Sequence, residues 1–121
     1  MTTAQSLLGA EGEKFAVQYL EEKKYKIIGR NVRQSWGELD IVARAPDKTL
    51  VLVEVKTMSG GALRPEDQMS AAKMKKFSRA ASLYAGHHKE LVNDKRGWRL
   101  DVIAITKVGE VFTANHYENV F

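Results

Sequence analysis

The chain of 121 residues contains no cysteine. This absence excludes disulfide-stapled folds and thiolate metal sites, and it suits a cytoplasmic protein. There is no run of about 18 apolar residues, so no membrane span is expected. The first residues lack the basic region and long apolar stretch of a secretory signal. We expect one domain, covering residues 1–121, with a single hydrophobic core.

Several common site signatures are also missing. Gly60-Gly61 is followed by neither a P-loop nor a dinucleotide-binding pattern. His87, His88 and His116 show no recognisable zinc spacing. Charge gives a weak positive signal, because 19 Lys and Arg against 15 Asp and Glu leave a net charge of +4. Such a modest excess is compatible with binding a polyanion, but many proteins without that function share it.

Apolar periodicity predicts the element order αβββαββ and therefore a fold of the α/β class. The first helix is predicted from near Ala4 to Lys24, and the second from an N-cap at Ser70 to about Gly86. The sequence Ala45-Pro46-Asp47-Lys48 is typical of a turn between two strands. The predicted strands cover residues 25–30, 37–43, 51–56, 98–105 and 111–114.

The second and third predicted strands carry charges within apolar sequence: Asp40 on one, Glu54 and Lys56 on the other. A strict four-residue loop would place Asp40 and Glu54 on opposite faces, whereas a three- or five-residue loop or a bulge pairs them. We predict the second register, because it gathers the charges in one place. It leaves Leu39, Ile41, Val51, Val53 and Val55 on the other face.

Two adjacent carboxylates repel each other unless a cation lies between them. An oxygen-ligand set of this kind suits Mg²⁺ or Mn²⁺, and a neighbouring lysine can orient a water molecule for phosphodiester hydrolysis. A simpler interpretation is a same-face ion pair of Glu54 and Lys56 at a solvated edge, with Glu13 an exposed helix acid. The combination of helix acid, strand acid and Glu-x-Lys favours the metal site.

The chain also resembles a known family. The motifs that carry the resemblance are Gly12-Glu13, Arg30-Asn31, Gly37-Glu38-Leu39-Asp40, Val53-Glu54-Val55-Lys56-Thr57, Lys73 and Arg99-Leu100-Asp101-Val102. Together they resemble the YraN family of uncharacterised bacterial proteins. The resemblance implies a restriction-endonuclease-like fold with an αβββαβ core, in which helices flank a mixed central sheet. It also implies a relation to archaeal Holliday-junction resolvases within the PD-(D/E)xK superfamily.

That superfamily implies a metal-dependent nuclease acting on DNA, including branched or structured DNA. By position, Asp40, Glu54 and the Val55 carbonyl would bind Mg²⁺ or Mn²⁺, Lys56 would be the catalytic lysine, and Glu13 would be the helix acid. A homodimer is compatible with the small surface that the chain offers to a duplex. The alternative is a non-catalytic nucleic-acid-binding or scaffold module with the same fold, and RNA is a third substrate class left open.

Further residues are candidates for the same function. The predicted nucleic-acid contacts are Arg30, Arg33, Arg64, Lys73 and Lys76. The second helix also carries Lys75 and Arg79, and a solvated helix face is an equal interpretation of that basic cluster. Packing is the safer interpretation of Trp36 and Trp98, although either could stack on a base. Asp101 is predicted to be structural, pairing with an arginine or capping a loop.

Overall fold

A computed structural model describes residues 3–60 and 70–120 of the chain. Within these ranges the element order is αβββαββ, as predicted. The helices are α1 (Ala4–Glu22) and α2 (Ala71–His87), and a 3₁₀ turn covers Lys89–Leu91. The strands are β1 (Lys26–Gln34), β2 (Gly37–Arg44), β3 (Leu50–Ser59), β4 (Trp98–Val108) and β5 (Val111–Tyr117).

The strands form one mixed sheet in the order β1-β2-β3-β4-β5. Neighbouring strands are antiparallel except β3 and β4, which run parallel. A parallel pair needs a long crossover, and the segment containing α2 supplies it. A mixed sheet with a helix on each face confirms the predicted α/β class.

The two helices cover opposite faces of the sheet. On one face, Ala16 and Leu20 of α1 pack against Ile41 and Val53. On the other face, Phe77 of α2 packs in a second apolar cluster. The middle strand, β3, is buried on both faces, since Leu50, Val51, Leu52 and Val53 are all fully buried. Charged residues at the end of such a strand therefore stand at the border of two cores.

The helix limits follow from capping. Thr3 and Ser6 form a capping box at the start of α1, and the Ser70 side chain accepts a hydrogen bond from the Lys73 N–H, as expected of the predicted N-cap. The helix α1 ends at Glu22, earlier than predicted, because Lys24 has the left-handed backbone conformation that terminates helices (φ 71°). Neither helix is both long and apolar enough to cross a membrane in the described ranges.

The register of the β2–β3 hairpin is the predicted one. The paired residues run from Arg44 opposite Leu50 to Ile41 opposite Val53, which leaves a five-residue loop over residues 45–49. The next step in this register sets Asp40 against Glu54. The hairpin therefore brings the two acids together.

The predicted face of Leu39 is wrong. Leu39 packs in the α2-side cluster, whereas Ile41 packs in the α1-side cluster. The strand β2 therefore loses its regular alternation at Asp40. On the neighbouring strand, Asn31 lies opposite this point and has a left-handed backbone conformation (φ 49°). The distortion places Asp40 between the two faces of the sheet.

Candidate active site

The candidate site lies where β2 and β3 separate. Beyond the last paired residues, Ile41 and Val53, the Val55 N–H donates a hydrogen bond to Asp40 Oδ2 (2.8 Å). A carboxylate thus takes the place of the main-chain partner that the ladder would otherwise provide. In an extended strand the N–H and C=O of one residue point to the same neighbouring strand, so the Val55 carbonyl also faces this gap.

Glu54 and Lys56 complete the sheet side of the site. Lys56 Nζ lies 3.2 Å from Glu54 Oε1, and the two side chains are 22% and 20% exposed. The carboxyl groups of Asp40 and Glu54 are close enough to interact, because the charge of Asp40 is one of the causes that raise the pKa of Glu54. The structure therefore brings together the three sheet residues of the predicted site.

The helix α1 contributes Glu13 because it packs unusually close to β3. A Cβ atom at Gly12 would collide with the Thr57 side chain, so this approach requires glycine. The Glu13 side chain is 14% exposed, and Arg30 Nε lies 4.0 Å from its Oε1. Among the described residues, that buried oxygen accepts no hydrogen bond. Glu13 thus faces the site with unused acceptor capacity.

The pKa values of the three acids, Glu13, Asp40 and Glu54, are all raised. Burial, followed by the charge of Asp40, raises the pKa of Glu54 to about 7, although Lys56 opposes the change. Burial also raises the pKa of Asp40, against the opposing hydrogen bond from the Val55 N–H. Burial and then Asp40 raise the pKa of Glu13, which Arg30 lowers in part. The positive charge present is therefore insufficient for three ionised carboxylates.

These residues fit a divalent cation. Asp40, Glu54 and the Val55 carbonyl offer oxygen ligands, which Mg²⁺ and Mn²⁺ prefer. A nearby cation would supply a partner for the Glu13 oxygen that no described residue hydrogen-bonds, and it would offset the repulsion between Asp40 and Glu54. A structural ion pair of Glu54 and Lys56 alone would leave Glu13 and Asp40 unexplained.

A basic groove adjoins the site on the α2 side of the sheet. Its volume is about 500 Å³, and its lining includes Glu54 and Lys56. From α2 the residues Lys73, Lys76 and Arg79 also line it. This placement brings two of the predicted nucleic-acid contacts, Lys73 and Lys76, to the edge of the acid cluster.

The other predicted contacts are placed differently. Arg30 lies beside the acid cluster, where it forms an ion pair with Glu13. Arg33 pairs instead with Glu38 (Nε–Oε1 3.8 Å), and its side chain is 77% exposed. Arg64 lies outside the described residues.

A second acid cluster surrounds Asp101 on β4, which is fully buried. Arg99 donates from Nε to Asp101 Oδ1 (3.0 Å), His116 Nε2 lies 2.7 Å from Oδ2, and the Asn119 N–H donates to Oδ1 (3.0 Å). Burial alone would raise the pKa of Asp101, but these hydrogen bonds outweigh it, and the pKa is lowered. Arg99 is the arginine partner that was predicted for Asp101.

The residues around Asp101 have the spacing of a metal site. One ligand atom each from Asp101, His116 and Glu118 lie within 4.8 Å of one another, so the group could hold a metal ion. The Arg99 guanidinium, however, already contacts two of them, at 3.0 Å from Asp101 and 3.2 Å from Glu118. A fixed cation of the chain therefore supplies the charge that a metal would bring.

Comparison with known proteins identifies the family. Residues 12–105 match the family described as "Uncharacterised protein family UPF0102". The chain belongs to the UPF0102 family. A UPF0102 protein of Geobacter metallireducens is 39% identical over 122 residues, covering 100% of this chain and 97% of that protein. A UPF0102 protein of Alkaliphilus oremlandii is 37% identical over 115 residues, covering 94% and 97%.

This is the family, also called YraN, that the motifs resemble. Glu13, Asp40, Glu54 and Lys56 all lie within the matched range of the UPF0102 chain. A further UPF0102 protein, from Geobacter sulfurreducens, is 45% identical over 102 residues, which cover 83% of this chain and 76% of that protein. The family assignment rests on nearly the whole chain rather than on one short motif.

Sequence reasoning about this UPF0102 chain missed His116 as a partner of Asp101, and it missed Tyr25 and Glu118 as partners of Arg99. His116 lies on β5, Glu118 just after it, and Tyr25 just before β1. An aspartate inside an apolar strand signals that partners exist, but it does not say which residues they are. Only the pairing of β4 with β5 brings His116 beside this strand.

Proposed function

We propose that this protein is a metal-dependent nuclease that hydrolyses phosphodiester bonds of DNA, with branched or otherwise structured DNA as its substrate class. The observation that carries the proposal is the meeting of Asp40, Glu54, Lys56 and Glu13 at the separation of β2 and β3, with raised pKa values for all three acids. Clusters of perturbed acids with a specific cationic partner are typical of functional sites. The family resemblance points to the same chemistry.

Asp40, Glu54 and the Val55 carbonyl would hold Mg²⁺ or Mn²⁺. When bound, such an ion neutralises negative charge on the phosphate and favours ionisation of a water molecule. Lys56 donates hydrogen bonds to the attacking water and to a phosphoryl oxygen, which orients the first and offsets charge on the second. Glu13 accepts a proton from that water through the oxygen that no described residue hydrogen-bonds. The water oxygen bonds to phosphorus as one P–O ester bond breaks, and the departing oxygen takes up a proton from solvent and leaves as a hydroxyl group.

The first test is cleavage of labelled duplex, single-stranded, flap and four-way-junction DNA with Mg²⁺ or Mn²⁺. We expect Asp40→Asn and Lys56→Ala each to lower the rate at least 100-fold, because each removes a group used in the transition state. Glu118→Gln is the matched control, since it changes an acid of the second cluster. Cleavage that survives both site substitutions would exclude this site. Binding without cleavage on every substrate would favour the non-catalytic alternative.

The second test measures the metal itself. A ligand that binds only the folded protein stabilises it, by about 2.7 kcal/mol at 100 times its dissociation constant. We therefore expect Mn²⁺ to raise the melting temperature of the wild type and of Glu118→Gln equally. The shift should disappear in the double variant Asp40→Asn, Glu54→Gln. If Glu118→Gln instead abolished the Mn²⁺-induced rise in melting temperature, the metal would bind at the second cluster.

A further inference from the structure

The groove beside the acid cluster has two unlike walls. One wall is the turn between β1 and β2, which contributes Trp36 and Gly37. The other wall is α2, whose groove-lining cations are Lys73, Lys76 and Arg79. Glu54 and Lys56 line it where it meets the acid cluster. The groove therefore joins an indole, a row of cations and the proposed reaction centre.

The two walls of this groove touch at one point. A Cβ atom at Gly37, where φ is 149°, would lie 2.8 Å from the Cβ of Ala80 on α2. The volume of about 500 Å³ is that of a pocket for a small-molecule-sized group, such as one nucleotide. An unpaired strand can place a base in such a pocket, whereas the bases of a duplex are already paired and stacked within the helix.

Trp36 is held in place while it lines the groove. It is partly buried against the α2-side core, and its ring centroid lies 5.9 Å from that of His87 at an interplanar angle of 32°. An aromatic side chain that lines the same groove as several cations is the combination that binds unpaired strands, since bases stack on the ring and phosphates follow the cations. Stacking needs no particular base, because every base has a π-face.

We propose that this groove binds one unpaired DNA strand, with a base stacked on Trp36 and the phosphates along Lys73, Lys76 and Arg79. The inference rests on the proposed function and deepens it, because it selects flaps, gaps and single-stranded arms over intact duplex. The acids of the groove, Glu38 and Glu54, would repel phosphate. The backbone of the strand therefore follows the α2 wall, and its bases face the turn.

The test uses the fluorescence of Trp36 in EDTA, where no cleavage occurs. The chain has two tryptophans, so Trp98→Phe leaves Trp36 as the single indole. Titration with a 12-residue oligothymidylate should quench that fluorescence, and binding should be at least tenfold tighter than to a 12-base-pair duplex. Trp36→Ala in the wild-type background should weaken binding at least tenfold, and Trp36→Phe should restore most of it because a stacking ring remains.

The basic wall is tested with a matched pair on one helix. Lys73→Ala and Lys76→Ala should each weaken binding of the oligonucleotide and reduce its dependence on salt. Lys75→Ala removes an equal charge from α2 at an exposed position that is not among the groove-lining residues, and it should have a smaller effect. Equal losses of affinity from all three substitutions would indicate a general attraction between the basic helix and the oligonucleotide. That result would overturn the proposal that the strand binds in the groove.

The outcomes separate this inference from the proposed function. Quenching by the single strand without cleavage of any substrate would support the groove and contradict the nuclease. Cleavage that depends on Lys56, with no quenching of Trp36 and equal affinity for duplex, would support the nuclease and overturn the groove. Circular dichroism of each variant checks that the fold is retained.

Discussion

The sheet carries two clusters of buried acids whose electrostatics are opposite. Asp101 is fully buried, yet hydrogen bonds lower its pKa. Glu54 keeps 20% of its side chain exposed, yet its pKa rises to about 7. Burial acts to raise the pKa of both acids, so burial alone does not explain the opposite outcomes. The positively charged and hydrogen-bonding partners of each carboxyl make the difference.

The contrast separates a structural role from a functional one. Around Asp101, the chain provides a guanidinium, an imidazole and a backbone N–H, which satisfy the carboxylate completely enough to keep it ionised. Around Asp40 and Glu54, the described residues provide the Val55 N–H and one lysine for two carboxyls, and they leave an oxygen of Glu13 without a hydrogen bond. Acids that lack partners in this way lower the stability of the folded protein, so we expect them to serve a function. Binding a cation is such a function.

The largest expected effect comes from breaking the satisfied cluster. Asp101→Asn removes the negative charge and leaves the Arg99 guanidinium, whose side chain is 18% exposed, without its buried partner. Removing one member of a buried pair typically costs about 3–5 kcal/mol. We therefore expect Asp101→Asn to lower the free energy of unfolding in urea by about that amount.

The matching substitution in the other cluster should behave in the opposite way. Glu54→Gln at pH 8 in EDTA removes a charge that Asp40 repels, so unfolding should become no easier or slightly harder. Similar losses from Asp101→Asn and Glu54→Gln would show that the two clusters are energetically alike and would contradict the comparison.

The dependence of stability on pH sharpens the same contrast. The pKa of Glu54 is raised from 4.5 to about 7, so between these values the folded protein binds more protons than the unfolded chain. Stability without metal should therefore fall as pH rises from 4.5 to 7, by on the order of 3 kcal/mol. Glu54→Gln should flatten this part of the profile, as measured by urea unfolding in EDTA.

At lower pH, the titration of Asp101 should give stability the opposite dependence on pH, so that stability rises as pH rises. Because its pKa is lowered from 3.8, its contribution to stability is present above that value and is lost as pH falls through the lower pKa of the folded state. A wild-type profile that stays level from pH 4.5 to 7 would contradict the raised pKa of Glu54.

The sequence was sufficient to predict local features of both clusters. Alternation of apolar residues, a turn with proline and an N-cap serine predicted the element order. The hairpin register that joins Asp40 to Glu54 was predicted because it gathers the charges in one place. Leu39 was placed on the wrong face because alternation assumes a regular strand. The left-handed conformation of Asn31 on the neighbouring strand, and the distortion opposite it, cannot be read from period-two patterning.

Distant partners were beyond sequence reasoning for a different reason. Tyr25 and Glu118 are 93 positions apart, and they share a hydrogen bond only because β1 and the end of the chain meet over Arg99. A local pattern shows that Asp101 needs partners, whereas the topology of the sheet chooses them. The groove-lining position of Trp36 is equally a product of the packing of the β1–β2 turn on α2.

The smallest expected effect tests how Glu13 reaches the first cluster. Gly12→Ala would place a Cβ against the Thr57 side chain, so α1 must shift away from β3 and carry Glu13 with it. Overpacking of this kind costs about 1–3 kcal/mol. Gly9→Ala is the matched control on the same helix, because its Cβ meets nothing within 4 Å, and it should stabilise by roughly 0.5–1 kcal/mol. Cleavage should fall in Gly12→Ala and stay unchanged in Gly9→Ala. Equal unfolding free energies for the two variants would show that α1 can move without cost, and Glu13 would then not be held at the site by this contact.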